Sequence, residues 1–292
     1  MIKKLVCKKI ISDEQAENLK GKFITTEHIK LPIINSDTDA YTSEGKLLFR
    51  FRKGVLPLEI LKLGYESFKE SIEWTEGRGI TSGYSGKRVR KDGSISKITV
   101  GAKVQSGAVG YMDSSAMVKY CRKTGFTRKY FEEFQKGIPF VKAIDKLYSE
   151  LAPEHYAIQK QYAEGTNRNW VIDDTVFTTI TVNKSFRTAV HRDSGDLEAG
   201  FGNLIVYNDG SYREGYFVLP QFGVAIDLQN TDVLFVDVHQ LHGNTEMLLN
   251  EGFDEIFRIS FVLYFREYML KCSSPEDELF RIKMEQNGFY RL

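Results

Sequence analysis

What the sequence lacks narrows it first. Its three cysteines, Cys7, Cys121 and Cys272, are odd in number, far apart and in no metal-type spacing. That argues against a disulfide framework and favours a reducing, intracellular setting. No apolar run approaches the roughly 20 residues that span a bilayer, so no membrane partner is expected. The opening Met1-Ile-Lys-Lys-Leu-Val-Cys-Lys-Lys is basic but has no apolar centre long enough for a signal peptide. Net charge is almost absent: 40 Lys and Arg against 39 Asp and Glu leave +1. The chain as a whole is therefore no polycation, and any nucleic-acid contact must come from a local basic patch. Internal repeats and low-complexity tracts are missing too. What remains, 292 residues of which 42% are hydrophobic, suits one large domain or two small ones with a sizeable core.

Composition changes near residue 165. Before it, helix signals alternate with polar, glycine-rich loops. Pro57 to Ser71 reads as a helix, with Leu58, Leu61, Tyr65 and Phe68 at helical spacing. Residues 75–125 read as loops and short strands. Thr127 can cap a short helix ending near Gly137, and a longer helix runs from Pro139 to about Ala163, restarted or kinked at Pro153. After Asn169 the pattern is β: 176–182, 203–207, 216–219, 224–228, 233–238 and 258–265 are β-branched or aromatic, separated by turn signals such as Asn208-Asp209-Gly210 and Pro220. The fold expected is α+β, a double-stranded β-helix (jelly roll) core with flanking helices. It forms a single domain over 1–292: a helical and loop region over 1–165 with substrate-binding loops, the jelly-roll core over 166–270 and a tail over 271–292.

The chemistry lies in that second half. His191-Arg192-Asp193 puts two metal ligands on one extended segment, facing the same way because the strand period is two. His242 follows 51 positions later, and Arg258 another 16. Two histidines and one carboxylate can cap one face of an octahedral metal and leave the other open, the signature of non-haem Fe(II) oxygenases. Either His239 or His242 can be the third ligand. His242 is preferred, because Gly243 permits close backbone approach and the interval to Arg258 fits; His239 is then a neighbour of the site. Arg258 begins an apolar strand, where an inward guanidinium is costly unless paired. A 2-oxoglutarate carboxylate is a natural partner. Ser260 shares its face, and Asn183 and Arg187 are further candidates for co-substrate contact. The blander readings are a surface His–Asp pair and a structural arginine.

The runs Phe177-Thr-Thr-Ile-Thr-Val-Asn-Lys-Ser-Phe-Arg-Thr-Ala-Val-His-Arg-Asp-Ser-Gly-Asp, Phe201-Gly-Asn-Leu-Ile-Val-Tyr, Val238-His-Gln-Leu-His-Gly-Asn and Arg258-Ile-Ser-Phe resemble the core of the TET/JBP dioxygenases. The resemblance covers about residues 165–268, and the His–His and His–Arg intervals look most like J-base thymine oxygenases and compact phage and protist members. It implies Fe(II) on His191, Asp193 and His242, 2-oxoglutarate on Arg258 and Ser260, O2 as co-substrate, and oxidation of the 5-methyl of thymine or 5-methylcytosine in DNA. It implies an acidic base contact at Asp196 and a base flipped out of double-stranded DNA. Glu76-Gly-Arg-Gly-Ile-Thr-Ser-Gly is similar to the family's glycine-rich loop near the base pocket and makes Arg78 a substrate candidate, although the Asn that usually precedes the Arg is missing. The cysteine-rich insert of animal TET enzymes is also missing, so no zinc is expected. A monomer is expected, in a bacterial host's cytoplasm if phage-encoded or in a nucleus if eukaryotic.

Lys87, Arg88, Arg90 and Lys91 form a dense basic run that reads as a hairpin tip, a candidate phosphate-binding patch. Stacking candidates for a flipped base are Phe186, Phe222 and Tyr84, although aromatic residues are more often core. The competing readings are a 2-oxoglutarate-dependent hydroxylase of a protein side chain or small molecule, for which the basic run would be incidental, and a non-catalytic base-binding module.

Overall fold

A computed structural model describes residues 2–90, 92–115 and 118–286. Along the chain the strands are β1 (Lys3–Cys7), β2 (Thr38–Thr42), β3 (Leu47–Arg52), β4 (Glu73–Thr75), β5 (Tyr84–Val89), β6 (Ile95–Gly101), β7 (Val104–Met112), β8 (Arg122–Lys123), β9 (Thr179–Lys184), β10 (Gly202–Asn208), β11 (Tyr212–Glu214), β12 (Phe217–Leu219), β13 (Val224–Ile226), β14 (Val233–Val236), β15 (Gly243–Asn244), β16 (Met247–Leu249) and β17 (Arg258–Tyr264). The helices are α1 (Asp13–Glu17), α2 (Leu58–Phe68), α3 (Gly125–Lys129), α4 (Phe131–Lys136), α5 (Ile138–Leu151), α6 (Pro153–Gly165) and α7 (Pro275–Gln286).

One large sheet runs β1-β2-β3-β14-β10-β17-β9-β7-β4, with β8 paired to β7. Two small sheets, β13-β12-β15 and β11-β16, make the second wall of the jelly roll. Each wall has an apolar reason to close. Phe217, Leu219, Val224 and Ile226 of the small sheet pack with Val206, Leu234, Val236, Phe49 and Phe51 of the large one. The other face of the large sheet is covered by helices, because α2, α4 and α5 carry apolar stripes at helical spacing. The Phe140 ring lies 5.1 Å from Phe261 on β17, and Tyr148 lies 5.3 Å from Phe235 on β14.

Several expectations need correction. Thr127 is not the helix cap. Thr124 takes that place, its hydroxyl accepting from Thr127 N at 3.2 Å, while the Thr127 hydroxyl accepts from Gly110 N. The expected long helix breaks at Ala152 and restarts as α6 with Pro153 in its first turn, the only part of a helix where proline costs little. The first 165 residues are not just helices and loops: β1, β2, β3, β4 and β7 all join the large sheet. Strand β7 hides its nature because Ser106, Gly107 and Gly110 interrupt its apolar pattern. Gly107 is needed there, since a side chain would collide with the backbone of Ser71. The cysteines are not all unpaired either. Cys121 and Cys272, 151 positions apart, form a disulfide and leave Cys7 free and buried. Sequence distance conceals this pairing, because only the folded chain brings the segment before β8 against the start of the C-terminal region. Glu278 of α7, itself buried, accepts from Cys121 N and Ser273 N at 2.8 Å each and fixes the same junction.

Candidate metal and co-substrate site

Between the two walls lies a cavity of about 360 Å³. His191 and His242 face each other across an isolated antiparallel bridge, exchanging two backbone hydrogen bonds of 2.9 Å. Neither sits in a regular strand. The bridge, not a long ladder, sets their register. Asp193 reaches between them: its carboxylate oxygens lie 3.3 Å from His191 Nε2 and 3.7 Å from His242 Nε2. The three ligand atoms all lie within 4.8 Å of one another. Gly243 fits closely beside this bridge, where a Cβ would come within 3.0 Å of Thr188 O and 3.2 Å of Ala189 C.

The hydrogen bonds leave the right atoms free. His191 Nδ1 lies 2.8 Å from the Ala189 carbonyl and His242 Nδ1 2.9 Å from the Gln240 carbonyl. A carbonyl only accepts, so each Nδ1 carries a proton and each Nε2 is turned to Asp193, the atom that would bind a metal once any proton on it is lost. Burial, reinforced by the charge of His191, pulls the His242 imidazole down to about 4. Burial opposes charge on Asp193 too, but the His191 hydrogen bond and the charge of His242 outweigh it and hold the carboxyl at about 2. Neutral imidazole at His242 and an ionised carboxylate at Asp193 are the forms a metal needs. This donor set fits a divalent iron with an open face. His239 stands aside: its Nε2 is 3.4 Å from the Asp196 carbonyl, and its Nδ1 faces Asp237, whose hydrogen bond raises it.

Arg258 is buried, 6% exposed, and its Nε has no hydrogen-bond partner among the described residues. A guanidinium held this way has the character of an anion site. Its backbone is braced by Ser185, whose hydroxyl donates to Ile256 O at 2.7 Å and accepts from Arg258 N at 3.3 Å. Ser260 and Asn183 line the same cavity. Asn183 Oδ1 accepts from Ser106, and Ser106 accepts from Arg78 Nε at 2.6 Å. The chain of bonds leaves the Asn183 amide N–H groups for the cavity. Arg187 is a correction. It donates to Ile24 O at 2.7 Å and to Glu246, and packs over the Phe23 ring, away from the cavity lining.

Arg78 and Asp196 line the same cavity. Arg78 also donates to Gly107 O at 3.1 Å, and burial lowers its guanidinium. Burial holds the Asp196 carboxyl well above the usual carboxylate range, and the charge of Asp193 adds to this while Arg266 opposes it. Phe186 lines the cavity, whereas Phe222 is packed in the core between the walls. Tyr264 and Arg266, which the sequence did not single out, line it too. The signal was present: Arg258, Ser260, Val262, Tyr264 and Arg266 alternate along β17 and just beyond, and all five face the cavity. Arg266 Nε is held by the buried Asp113 at 2.7 Å.

The basic run lies on a hairpin of β5 and β6. Lys87 and Arg90 are exposed, Arg88 lies in β5, and Lys91 falls outside the described residues. The turn closes with Arg90 N bonded to Ser94 O at 2.8 Å. The hairpin's base is pressed onto the turn that follows Arg78, where a side chain at Gly101 would collide with Ser82 and the Gly79 backbone. The charged tip thus grows from the same loop that lines the cavity.

Fold and site together define an oxygenase jelly roll of the iron and 2-oxoglutarate type. Residues 107–267 match the family model Tet_JBP, the oxygenase domain of the 2OGFeDO superfamily, and the chain belongs to that TET/JBP family. It is 30% identical over 273 residues to thymine dioxygenase JBP1 of Trypanosoma brucei brucei, covering 93% of this chain and 31% of that protein. It is 39% identical over 170 residues to the bifunctional helicase and thymine dioxygenase JBP2 of Trypanosoma cruzi, covering 57% of this chain and 15% of that protein. The chain thus spans less than a third of the length of either relative. The solved structure of NgTET1 in complex with 5mC DNA superposes with a TM-score of 0.59 at 16% identity, covering 94% of this chain and 99% of that one, and so shares the fold.

Proposed function

We propose that this protein oxidises the 5-methyl group of a pyrimidine in double-stranded DNA, thymine or 5-methylcytosine, with Fe(II), 2-oxoglutarate and O2. The observation that carries this is one cavity holding a His–Asp–His triad, a buried arginine whose Nε has no hydrogen-bond partner among the described residues, and a buried acid. The names of the relatives, thymine dioxygenases and a 5mC-DNA complex, supply the substrate class.

His191, Asp193 and His242 would hold the metal, and Arg258, with Ser260 and Asn183, would hold the distal end of 2-oxoglutarate. When bound, metal and co-substrate supply the oxidising power that activates O2 against a methyl C–H bond. The protein's part is positioning. Arg78 and Asp196, which line the cavity, would meet the edge of a base that has left the helix. Unpairing a base costs a few kcal/mol, which hydrogen bonds to its edge and stacking, with Phe186 available, offset. Lys87, Arg88, Arg90 and Lys91 would bind phosphates beside the flipped nucleotide. The protein would act as a monomer inside a cell.

The test is mass spectrometry of nucleosides after incubation with Fe(II), 2-oxoglutarate and duplexes holding thymine alone or thymine with 5-methylcytosine. Hydroxymethyl product that depends on 2-oxoglutarate supports the proposal and names the base. Succinate release with free amino acids, and none with either duplex, would point to a different substrate class.

A further inference from the structure

Helix α7 is anchored by charge, where a surface helix normally uses an apolar stripe. Among its described side chains only Glu278 is buried, while Leu279 and Phe280 are exposed. The Glu278 carboxylate accepts from Cys121 N and Ser273 N, and Arg281 pairs with it at 3.0 Å. Trp170 Nε1 adds a bond of 2.7 Å to Ser273 O. Beside these polar ties lies the Cys121–Cys272 disulfide.

That disulfide closes a ring whose far side reaches the cavity. On one arm, Cys121 precedes β8, where Arg122 pairs with Met112 at the end of β7 and donates to the Asp113 carbonyl at 3.0 Å. On the other arm, two tight turns run from Arg266 to Cys272: Met269 N bonds Arg266 O, and Cys272 N bonds Met269 O, each at 3.0 Å. Asp113 and Arg266 complete the ring with their 2.7 Å ion pair. Arg266 lines the cavity, and its backbone bridges Asp196. One joint of the ring therefore stands at the base end, and the joint opposite is a bond that electrons can open.

We propose that the Cys121–Cys272 disulfide is a redox latch on the base end. Closed, it holds Asp113 and Arg266 in register; open, it frees the start of α7 and slackens that pair. This rests on the reading of the Arg78 and Asp196 end as the base pocket of a protein that acts inside a cell. There, disulfides are rare and mostly transient, catalytic or redox-sensing. The reductant is a dithiol. Its thiolate attacks one sulfur to form a mixed disulfide, and its second thiol displaces the other. Cys121 and Cys272 gain two electrons and two protons and become thiols, while the dithiol becomes a cyclic disulfide. Both cysteines are buried, so attack needs a local opening, which a helix held by one carboxylate supplies. The metal end is spared, because His191 and His242 are registered by their own bridge.

The test reduces metal-free protein with dithiothreitol, removes the reductant, and counts free thiols by alkylation and mass spectrometry. Reduction should lower kcat/KM for methyl oxidation in a duplex about three- to tenfold, the range for one hydrogen bond lost from register. 2-Oxoglutarate affinity on Mn(II)-loaded protein should not change. Oxidised glutathione should restore the rate as the two thiols disappear. Asp113→Asn weakens the opposite joint, so it should lower the rate with the disulfide intact and leave reduction little further to remove. An equal loss on reduction in Asp113→Asn and in the parent would make the disulfide a plain staple. So would a reduced protein that no longer melts cooperatively. Two thiols gained at an unchanged rate would remove the latch. A parent rate in Asp113→Asn would mean that the pair does not serve the base end, which leaves the latch nothing to act on. A parent protein that oxidises neither thymine nor 5-methylcytosine in a duplex would fail at the proposed function, and this inference with it.

Discussion

The two ends of the cavity are built differently. At the metal end, two short segments meet on a single backbone bridge, and three side chains converge, the two histidines with their hydrogen bonds already satisfied on the far side. At the base end, Arg78, Asp113, Asp196 and Arg266 come from four separate stretches: Asp196 and Arg266 share an isolated backbone bridge of their own, and Arg78 and Arg266 are held by side-chain bonds to Ser106 and Asp113. The first end draws its ligands from two segments and leaves a spacing in the sequence. The second is assembled from four stretches, two of them in the first half of the chain, and leaves almost none.

The largest expected effect breaks the metal end. His191→Ala, Asp193→Ala or His242→Ala should remove bound iron and lower turnover by several kcal/mol of barrier, on the order of a thousandfold or more. His239→Ala should keep iron, since its ring bonds the Asp196 carbonyl through Nε2 and lies 3.4 Å from the Asp237 carboxylate through Nδ1. Iron content and succinate release measure both. Iron lost from His239→Ala but retained in His242→Ala would reverse the assignment. Next comes Arg258→Ala. Removing a desolvated charged partner should raise the KM for 2-oxoglutarate on the order of a hundredfold while iron stays bound. A KM within about twofold of the parent would sink the role.

That end is legible because period two and fixed intervals survive folding unchanged. His191 with Asp193, and Arg258 with Ser260, follow from alternation alone. Alternation carried on would also find Tyr264 and Arg266, but Arg266 lies past the apolar run and looks like the strand's end. Strand β7 is hidden because its glycines answer to neighbours such as Ser71 and Thr178, not to its own pattern. Arg187 misleads for the same reason: nearness in sequence to His191 does not reveal that Phe23 and Glu246 claim its guanidinium. The Cys121–Cys272 disulfide needs the whole fold to bring its halves together.

A smaller effect sharpens the base end. Asp196→Asn keeps the shape and removes the acid. Methyl oxidation should fall about ten- to thirtyfold, the loss of one good base-edge hydrogen bond, while 2-oxoglutarate turnover without DNA stays near the parent rate. Stability should move the other way. A carboxyl held above its usual range in the fold is bound to its proton more tightly than in the unfolded chain. Its contribution is then fully present only at acid pH and is lost as pH rises. At neutral pH the metal-free Asp196→Asn protein should therefore melt above the parent, and the difference should vanish below the ordinary carboxylate range. A lower melting point at neutral pH would mean that the acid is stabilised by partners such as Arg266 more than burial disfavours it.

The smallest effect concerns the hairpin, which belongs to neither end but stands on the loop that carries Arg78. Its charges are exposed at Lys87 and Arg90, so each would work through counterion release and not through fixed geometry. Replacing both by Ala should weaken duplex binding at low salt and reduce the slope of log K against log salt by about 0.9 for each phosphate left without its cation. Base preference should not change, since phosphate binding carries no sequence information. 2-Oxoglutarate turnover without DNA should not change either, because the cavity lining does not include these side chains. Fluorescence anisotropy across a salt series reads the slope directly. A slope identical to the parent's would make the hairpin a solvated loop. A changed base preference would mean that the hairpin steers the Arg78 loop, and that the base end reaches further along the chain than its buried residues show.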